Sequence, residues 1–231
     1  EMSVFVLTDG KNYCLLPEAK DYKRIGEGDT GLNTGGMGAV SPVPFADDVF
    51  MKKVIDRVVE PTINGFRSEN MVYKGFVFIG LIKVNNEPYV IEYNCRMGDP
   101  ETEVVIPRLK NDLVELLTAT ANGTIDSVKI EQDPRFAVTM MAVSGGYPGD
   151  YIKGYEIEGL NQTIPDSMIF HAGTAAENDL IITSGGRVLA VTSMGDAVAD
   201  CVAQSKNILS GIRFKKMYYR SDIGYEFLNA N

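Results

Sequence analysis

Residues 89–103 read YVIEYNCRMGDPETE, and the first six of them have the composition of a β-strand. β-Branched and aromatic side chains dominate those six positions, and such residues favour strands. Successive side chains of a strand point to opposite faces, so Glu92 and Asn94 are predicted to share one face. A carboxylate beside a carboxamide offers the oxygen ligands that suit a hard cation such as Mg²⁺. The spacing alone leaves a second interpretation open, in which both side chains only form the solvated face of an edge strand.

The second half of this stretch changes character. Arg96 carries a planar guanidinium that can hold a carboxylate or a phosphate bidentately. Asp99 followed by Pro100 predicts the end of the strand, with Asp99 as a helix N-cap and proline at the first helical position. Upstream, residues 75–84 form a nearly continuous apolar run, and residues 85–86 are both asparagine. The sequence therefore predicts a hairpin with a buried first arm and the candidate ligand pair on its second arm.

Composition limits the classes of function. The chain has 231 residues, 45% of them hydrophobic, which is enough for a sizeable core, and a formal net charge of -9 that argues against nucleic-acid or anionic-membrane partners. No apolar run approaches membrane-spanning length. The three cysteines have no paired spacing, so a reducing, cytoplasmic location is expected. His171 is the only histidine, so catalysis is expected to rest on carboxylates, lysine, arginine, backbone amides and a bound metal.

The first part of the chain is predicted to contain a hairpin and a long connection. Residues 4–7 and 13–16 are short apolar runs on either side of an Asp-Gly turn, and EMS at the start runs straight into the first of them, as in a piece that begins inside a domain. Residues 17–45 are polar and glycine-rich, and long connections of this kind are usually functional or disordered. Within them, NTGGMG at residues 33–38 is expected to present backbone amides to an anion, with a plain flexible connector as the alternative.

The rest of the chain predicts an α+β fold. Helical periodicity covers residues 47–64, with Pro61 expected to end or kink the helix, and residues 112–121. Beyond residue 124 the texture changes to short strand candidates separated by turns, at residues 136–143, 156–157, 168–172, 180–183 and 188–192. A helix over residues 196–209 follows. Charged residues and a proline near residues 131–135 separate the two textures, so we expect two domains, residues 1–132 and 133–231.

Several motifs together resemble one family. They are SVFVLTDG at 3–10, DYKR at 21–24, GDTG at 28–31, NTGGMG at 33–38, IEYNCRMGDPET at 91–102, SGGYPG at 144–149, HAGT at 171–174, TSGGRV at 183–188 and YRSDIG at 219–224. In this collinear order they resemble the phosphoribosylamine–glycine ligases of the ATP-grasp superfamily. The resemblance implies the second half of an ATP-grasp domain, an antiparallel sheet with helices, followed by a small mostly β C-terminal domain. It also implies that the family's N-terminal domain and an ATP-binding subdomain lie outside this chain.

The same resemblance implies a reaction. Members of the family join glycine to 5-phosphoribosylamine with ATP through a glycyl phosphate, the second step of de novo purine biosynthesis. The expected partners are ATP, glycine, 5-phosphoribosylamine and the missing N-terminal half of the same enzyme, without which this chain is expected to be inactive. Two alternatives stay open: a stable, non-catalytic binding module, and another ATP-grasp carboxylate–amine ligase. The loop at residues 34–38 and the C-terminal motifs argue against the second alternative.

Residue roles follow from the resemblance. It implies that Glu92 and Asn94 hold Mg²⁺ or Mn²⁺, that Lys23 contacts phosphate during catalysis, and that Arg96 clamps an anionic group of the substrates. Glu1 is implied to meet the ribose of the nucleotide. The implied substrate-binding residues are Arg96 again with Asp21, Asn33, Thr34, Gly35, Gly36, Met37, Asp99 and Glu101.

Some of these residues have structural explanations that stay open. Helix capping and first-turn charge account equally well for Asp99 and Glu101, and a salt bridge within the loop accounts for Asp21. His171 and Arg187 fall in C-terminal motifs and are interpreted as packing and domain-contact residues, with ligand contact as the alternative for Arg187. The paired glycines at 145–146 and 185–186 are interpreted as tight turns.

Overall fold

The structure is a computed structural model that describes residues 1–228, and it divides into two units. The first unit comprises Glu1–Lys20, Pro42–Gly98 and Val105–Pro134, and the second comprises Asp21–Ser41, Asp99–Val104 and Arg135–Asn231. Antiparallel sheets with few helices give the predicted α+β class. The second unit includes two segments from the first half of the sequence. The division into two domains between residues 132 and 133 stays a prediction.

Strands outnumber α-helices in the described part of the chain. The strands are β1 (Met2–Thr8), β2 (Tyr13–Leu15), β3 (Lys20–Asp21), β4 (Arg24–Gly26), β5 (Thr30–Asn33), β6 (Gly38–Ser41), β7 (Gly75–Val84), β8 (Glu87–Asn94), β9 (Phe136–Val143), β10 (Ser167–His171), β11 (Thr174–Glu177), β12 (Leu180–Thr183) and β13 (Arg187–Gly195). The α-helices are α1 (Asp48–Val54), α2 (Glu60–Ser68), α3 (Thr102–Val105), α4 (Leu113–Asn122) and α5 (Val198–Gly211).

The first unit is built on a four-stranded antiparallel sheet with the strand order β2-β1-β7-β8. β1 is buried along its whole length, so it forms the centre of the core. Asn85 and Asn86 both have positive φ, 51° and 61°, which is the backbone conformation of a tight hairpin turn between β7 and β8. Both predicted hairpins of this unit are confirmed. Within residues 1–228, β8 pairs only with β7 and is therefore an edge strand.

One long helical segment packs in the first unit. α1 begins after Asp47, whose carboxylate accepts a hydrogen bond of 2.8 Å from the amide of Phe50. A π-helical segment, Ile55–Val59, joins α1 directly to α2. The expectation that Pro61 ends or kinks the helix is wrong in its first part, because Pro61 lies in the first turn of α2, where a missing N–H is tolerated. The helix predicted over residues 112–121 is confirmed as α4, which is capped by Asp112 at its start and by Gly123 with a φ of 76° at its end.

The second unit is built on a five-stranded sheet with the order β10-β13-β9-β6-β3, and α5 packs on β9 and β13. β9 and β13 are almost entirely buried and supply most of its core. The strand candidates at 136–143, 168–172, 180–183 and 188–192 are confirmed as β9, β10, β12 and β13. Residues 156–157 form no strand and contribute one isolated bridge, between Glu156 and Ile182. β11 was not predicted, since TAAE carries no apolar alternation.

The predicted connection at residues 17–45 is structured. It contains β3, the short hairpin of β4 and β5, and β6, which is fully buried and pairs with β9. Strands of two to four residues are too short to show a periodic pattern, and glycine is usually depleted in strands. For these reasons the strands of this connection carry no recognisable signal in the sequence.

Candidate functional site

In the first unit, the predicted ligand pair lies near the end of β8. Glu92 is exposed and Asn94 is half-buried, and their spacing puts both on one face of an edge strand. Gly80 pairs with Glu92 across the ladder, and a Cβ on Gly80 would lie only 3.1 Å from Cγ of Glu92. The glycine therefore leaves room beside the carboxylate.

Arg96 lies beside this pair. Its Nη1 donates to the carbonyl of Met97 at 3.0 Å, its Nη2 lies 3.4 Å from Oδ1 of Asn94, and Cζ lies 5.8 Å from the centre of the Phe78 ring. The predicted grouping of a carboxamide and a guanidinium at this strand end is therefore present.

The oxygen donors of Glu92 and Asn94 fit a hard divalent cation, because Mg²⁺ is commonly held by one or two protein oxygens and completes its coordination with water and phosphate. Among the described residues no group of three or more His, Cys, Asp or Glu side chains is arranged to hold a metal ion. Two side-chain oxygens alone do not fill the coordination shell of a hard divalent cation.

Three other predicted residues lie near strand β1 or strand β3. Glu1 is exposed and precedes β1. Asp21 ends β3 and is half-buried. Lys23 is exposed in the following segment, and its carbonyl accepts hydrogen bonds from the amide and the hydroxyl of Thr34, at 2.7 and 2.8 Å.

In the second unit, each backbone amide of the loop at residues 34–37 donates a hydrogen bond to an acceptor within the chain. The amide of Thr34 donates to Lys23, that of Gly35 to the hydroxyl of Tyr147 at 2.9 Å, that of Gly36 to Oγ1 of Thr34, and that of Met37 to the carbonyl of Tyr22. The expected cradle of free amides is therefore not formed by these four groups, because each already has an acceptor within the chain.

Gly36 is required by the shape of this loop. Its φ is 115°, and a Cβ at this position would lie 2.3 Å from Cδ of Pro100. Only glycine meets both conditions without strain. The loop is consequently fixed against the segment that begins at Asp99.

Asp99 faces Arg187, the first residue of β13. Nη1 of Arg187 donates to the carbonyl of Gly35 at 2.7 Å and to the carbonyl of Asp99 at 3.0 Å, and it lies 2.9 Å from Oδ1 of Asp99. The prediction that Asp99 caps a helix is wrong, because α3 begins at Thr102 and the Asp99 carboxylate is paired with Arg187 instead.

Two further carboxylates follow Asp99. Glu101 is almost completely buried, with 4% of its surface exposed. Glu103 is half-buried, and its Oε2 is buried without a hydrogen-bond partner within the described residues. Burial and the nearby charge of Asp99 raise the pKa of Glu103 from 4.5 to about 7, against the opposing effect of Arg187. This carboxyl group is therefore close to half-protonated at neutral pH.

A buried arginine fixes the hairpin of β4 and β5. Arg220 has no exposed side-chain surface, and it donates to Asp29 at 2.7 Å, to both carboxylate oxygens of Asp222 at 2.8 Å and to the carbonyl of Arg24 at 3.1 Å. Burial alone would lower the pKa of Arg220, but the hydrogen bonds to Asp222 and Asp29 outweigh it and raise that pKa. The same pairing lowers the pKa of Asp222, against the opposing effect of burial. Both groups are ionised in the folded chain.

Sequence reasoning missed the roles of several of these residues. Arg187 is the charged first residue of β13, and a charged residue at such a position usually has a polar partner. For Glu103 there was no such signal, since an acidic residue in the first turn of a helix is ordinary. His171, interpreted as a packing residue, is exposed, and its Nδ1 lies 3.0 Å from the hydroxyl of Thr174. Gly186 packs tightly on Tyr147, where a Cβ would lie 2.3 Å from the ring.

None of the helices within residues 1–228 has the length and apolar character needed to cross a membrane.

Known proteins with similar sequences indicate the family of this chain. Phosphoribosylamine–glycine ligase from Pseudomonas aeruginosa is 44% identical over 227 residues, covering 97% of this chain and 53% of the relative. The ligase of the same name from Chlorobaculum tepidum is 43% identical over 231 residues, covering 99% of this chain and 54% of the relative. The chain thus spans about half the length of the curated relatives it matches.

Solved structures agree. The crystal structure of phosphoribosylamine–glycine ligase from Thermotoga maritima superposes with a TM-score of 0.83 at 33% identity, over 96% of this chain and 55% of that one. Biotin carboxylase from Campylobacter jejuni superposes with a TM-score of 0.68 at 14% identity, over 99% of this chain and 49% of that one. At this identity the similarity is one of fold alone. Two family profiles match, "Phosphoribosylglycinamide synthetase, ATP-grasp (A) domain" over residues 1–102 and "Phosphoribosylglycinamide synthetase, C domain" over residues 137–226. The chain therefore belongs to the phosphoribosylglycinamide synthetase family and carries sequence from its ATP-grasp (A) and C domains.

Proposed function

We propose that the protein containing this chain joins glycine to 5-phosphoribosylamine at the expense of ATP, giving glycinamide ribonucleotide for de novo purine biosynthesis in the cytoplasm. The observation that carries this proposal is the pair of Glu92 and Asn94 with Arg96 at the end of β8, in a chain of this family. The relatives that align with 97% to 99% of this chain, at 43% to 44% identity, bear the name of that ligase.

The chemistry needs an activated carboxyl group. A carboxylate does not react with an amine directly, so a glycine carboxylate oxygen first takes the terminal phosphoryl group of ATP, releasing ADP. The amine of 5-phosphoribosylamine then attacks the acyl carbon, the C–O bond to phosphate breaks, and the amine loses a proton as the amide forms. Both steps depend on alignment and on neutralising charge rather than on a covalent protein nucleophile.

Glu92 and Asn94 would hold Mg²⁺ or Mn²⁺ in this proposal. Such an ion, when bound, neutralises the charge on the phosphate oxygens of ATP. Arg96 adds a fixed positive charge beside Asn94, suited to a carboxylate or a phosphate group of the substrates. Lys23 would contact phosphate, and Glu1 would meet the ribose of the nucleotide.

The substrate-binding set proposed from the second unit is Asp21, Asn33, Thr34, Gly35, Gly36, Met37, Asp99 and Glu101. Since the amides of residues 34–37 already have acceptors, this loop would act through its carbonyls, its side chains and its shape. Glu101 is only 4% exposed, so its part in this set would be indirect, through the residues packed around it.

The test is the variant Glu92→Ala in the full-length protein. We expect kcat with saturating Mg²⁺ to fall about a hundredfold or more, because one of two protein ligands to the ion is lost. Binding of Mn²⁺, measured by electron paramagnetic resonance, should weaken in parallel, while circular dichroism stays unchanged because Glu92 is exposed. Glu177→Ala, another exposed glutamate on a strand, is the matched control. A Glu92→Ala protein with near-normal turnover and Mn²⁺ affinity would refute the metal site.

A second assay tests the alternative that the protein is an ATP-grasp ligase with a different carboxylate substrate. The wild-type full-length protein is supplied with ATP, 5-phosphoribosylamine and either glycine or alanine, and release of phosphate is followed. We expect turnover with glycine to exceed that with alanine. Equal turnover, or turnover with neither, would contradict the assigned substrate.

A further inference from the structure

One edge of the Arg187 guanidinium makes no hydrogen bond within the described residues. Within the part of the chain that the structure describes, all of its hydrogen bonds leave from Nη1, toward the carbonyls of Gly35 and Asp99 and toward Oδ1 of Asp99. Nε and Nη2 form the other edge of the guanidinium, the pair of nitrogens that binds a carboxylate or phosphate bidentately. One-fifth of the side chain is exposed, so this edge is not sealed in the core.

Several contacts define the position of the Arg187 guanidinium. Its plane lies close to Gly35, where a Cβ would be 3.0 Å from Cζ and 3.2 Å from both Nε and Nη2 of Arg187. Gly35 is fixed in turn by its hydrogen bond to the hydroxyl of Tyr147. A donor pair whose position is set before a ligand arrives loses little conformational freedom on binding.

The surrounding charges leave Arg187 available to an anion. Asp99 occupies Nη1 only. Glu103 lies near the arginine but makes no ion pair or hydrogen bond with it within the described residues, and burial raises the pKa of its carboxyl group. The amides of the neighbouring loop are already engaged, so they offer no competing anion site.

We propose that the Nε–Nη2 edge of Arg187 binds an oxyanion of a substrate, either the carboxylate of glycine or the phosphate of 5-phosphoribosylamine. The inference rests on the proposed function for the identity of these substrates. It assigns Arg187 to ligand binding, where the sequence favoured a packing role.

Kinetics of the full-length protein test it. Arg187→Lys keeps the charge but loses the fork, and Arg187→Met loses both. We expect each variant to raise KM about 10-fold to 100-fold for one of the two anionic substrates, the value typical of a lost charged hydrogen bond, with KM for ATP unchanged. A rise for glycine alone identifies the carboxylate, and a rise for 5-phosphoribosylamine alone identifies the phosphate.

Two further variants separate binding from loop support. Arg213→Met removes an exposed arginine of the same unit and should leave every KM unchanged. Tyr147→Phe removes the acceptor of the Gly35 amide without touching Arg187. If Tyr147→Phe raises the same KM as strongly as Arg187→Lys does, Arg187 only supports the loop and the inference is overturned. It is also overturned if neither arginine variant changes a KM.

A titration of the wild-type protein needs neither a folded variant nor turnover. The ¹H–¹⁵N signal of Arg187 Nε is followed while inorganic phosphate or glycine is added. A saturable shift that is absent from the Arg213 signal supports the inference, and no shift with either ligand overturns it. If the protein proves unable to ligate glycine, the proposed function fails, yet this titration still decides whether Arg187 binds an oxyanion.

Discussion

At the scale of single residues, Glu103 couples folding to pH. Its carboxyl group lies near Asp99 and Arg187, and one oxygen is buried without a partner in the described part of the chain. Because its folded pKa of about 7 exceeds the ordinary 4.5, the folded state binds a proton that the unfolded state has released between those two values. Stability from this group is therefore present at low pH and is lost as the pH rises toward 7.

The variant Glu103→Gln removes this dependence. We compare the free energy of unfolding of the variant with that of wild type at pH 5 and at pH 8. The difference should be about 1 to 3 kcal/mol more in favour of the variant at pH 8, because the wild-type protein then buries an ionised carboxylate. Urea unfolding at the two pH values measures the difference. Glu177→Gln removes the same charge from an exposed position of the same unit. If the two variants show the same pH dependence, Glu103 is not titrating as described.

At the scale of elements, the hairpin of β4 and β5 is held from a distant part of the sequence. Arg220 joins Asp29 and Asp222, and Oδ2 of Asp222 accepts the amide of Gly28 at 2.7 Å. The hydroxyl of Tyr218 donates to the carbonyl of Ile25 at 2.9 Å. A hairpin of three-residue and four-residue strands is not stable alone. Its order therefore depends on this C-terminal segment.

Arg220→Met should loosen that hairpin. The side chains of Asp29 and Asp222 are 40% and 19% exposed, so losing the charged hydrogen bonds from Arg220 should cost about 1 to 3 kcal/mol. We expect faster amide hydrogen exchange at Gly28 and through β4 and β5, with β9 and β13 unchanged. Arg213→Met is the control, as an exposed arginine nearby in sequence. Unchanged exchange at Gly28 would show that other contacts hold the hairpin.

The elements that sequence predicted well are those with local signals. β7 and β8 follow from apolar patterning and an Asn-Asn turn, and α4 follows from helical periodicity. Strand alternation also predicted that Glu92 and Asn94 share a face, but it did not predict that Ile91 and Tyr93 of the opposite face are 49% exposed.

The elements that sequence did not predict depend on distant partners. β6 has four residues, including a glycine, and is stabilised by pairing with β9 about a hundred positions later. The pairing of Asp99 with Arg187, 88 positions apart, likewise overrides the local N-cap signal. The engaged amides of residues 34–37 could not be foreseen, because their acceptors include Tyr147.

At the scale of the whole molecule, the first unit shows an exposed apolar edge. Tyr89, Val90, Ile91 and Tyr93 of β8 are each 40% to 56% exposed. Runs of exposed apolar side chains on an edge strand are usually covered in the complete protein. The chain spans about half the length of the curated relatives it matches.

Nucleotide affinity should therefore require more than residues 1–231. Small-molecule sites bury roughly 70–90% of a ligand's surface, and an open edge strand contacts it from one side only. In calorimetric titration with ATP and Mg²⁺, we expect no measurable binding to the 231-residue chain and clear binding to the full-length protein. Circular dichroism confirms that the shorter chain is folded. Micromolar affinity of the folded chain alone would mean that it holds a complete nucleotide site, and Glu92→Ala in that chain would then show whether β8 forms part of it.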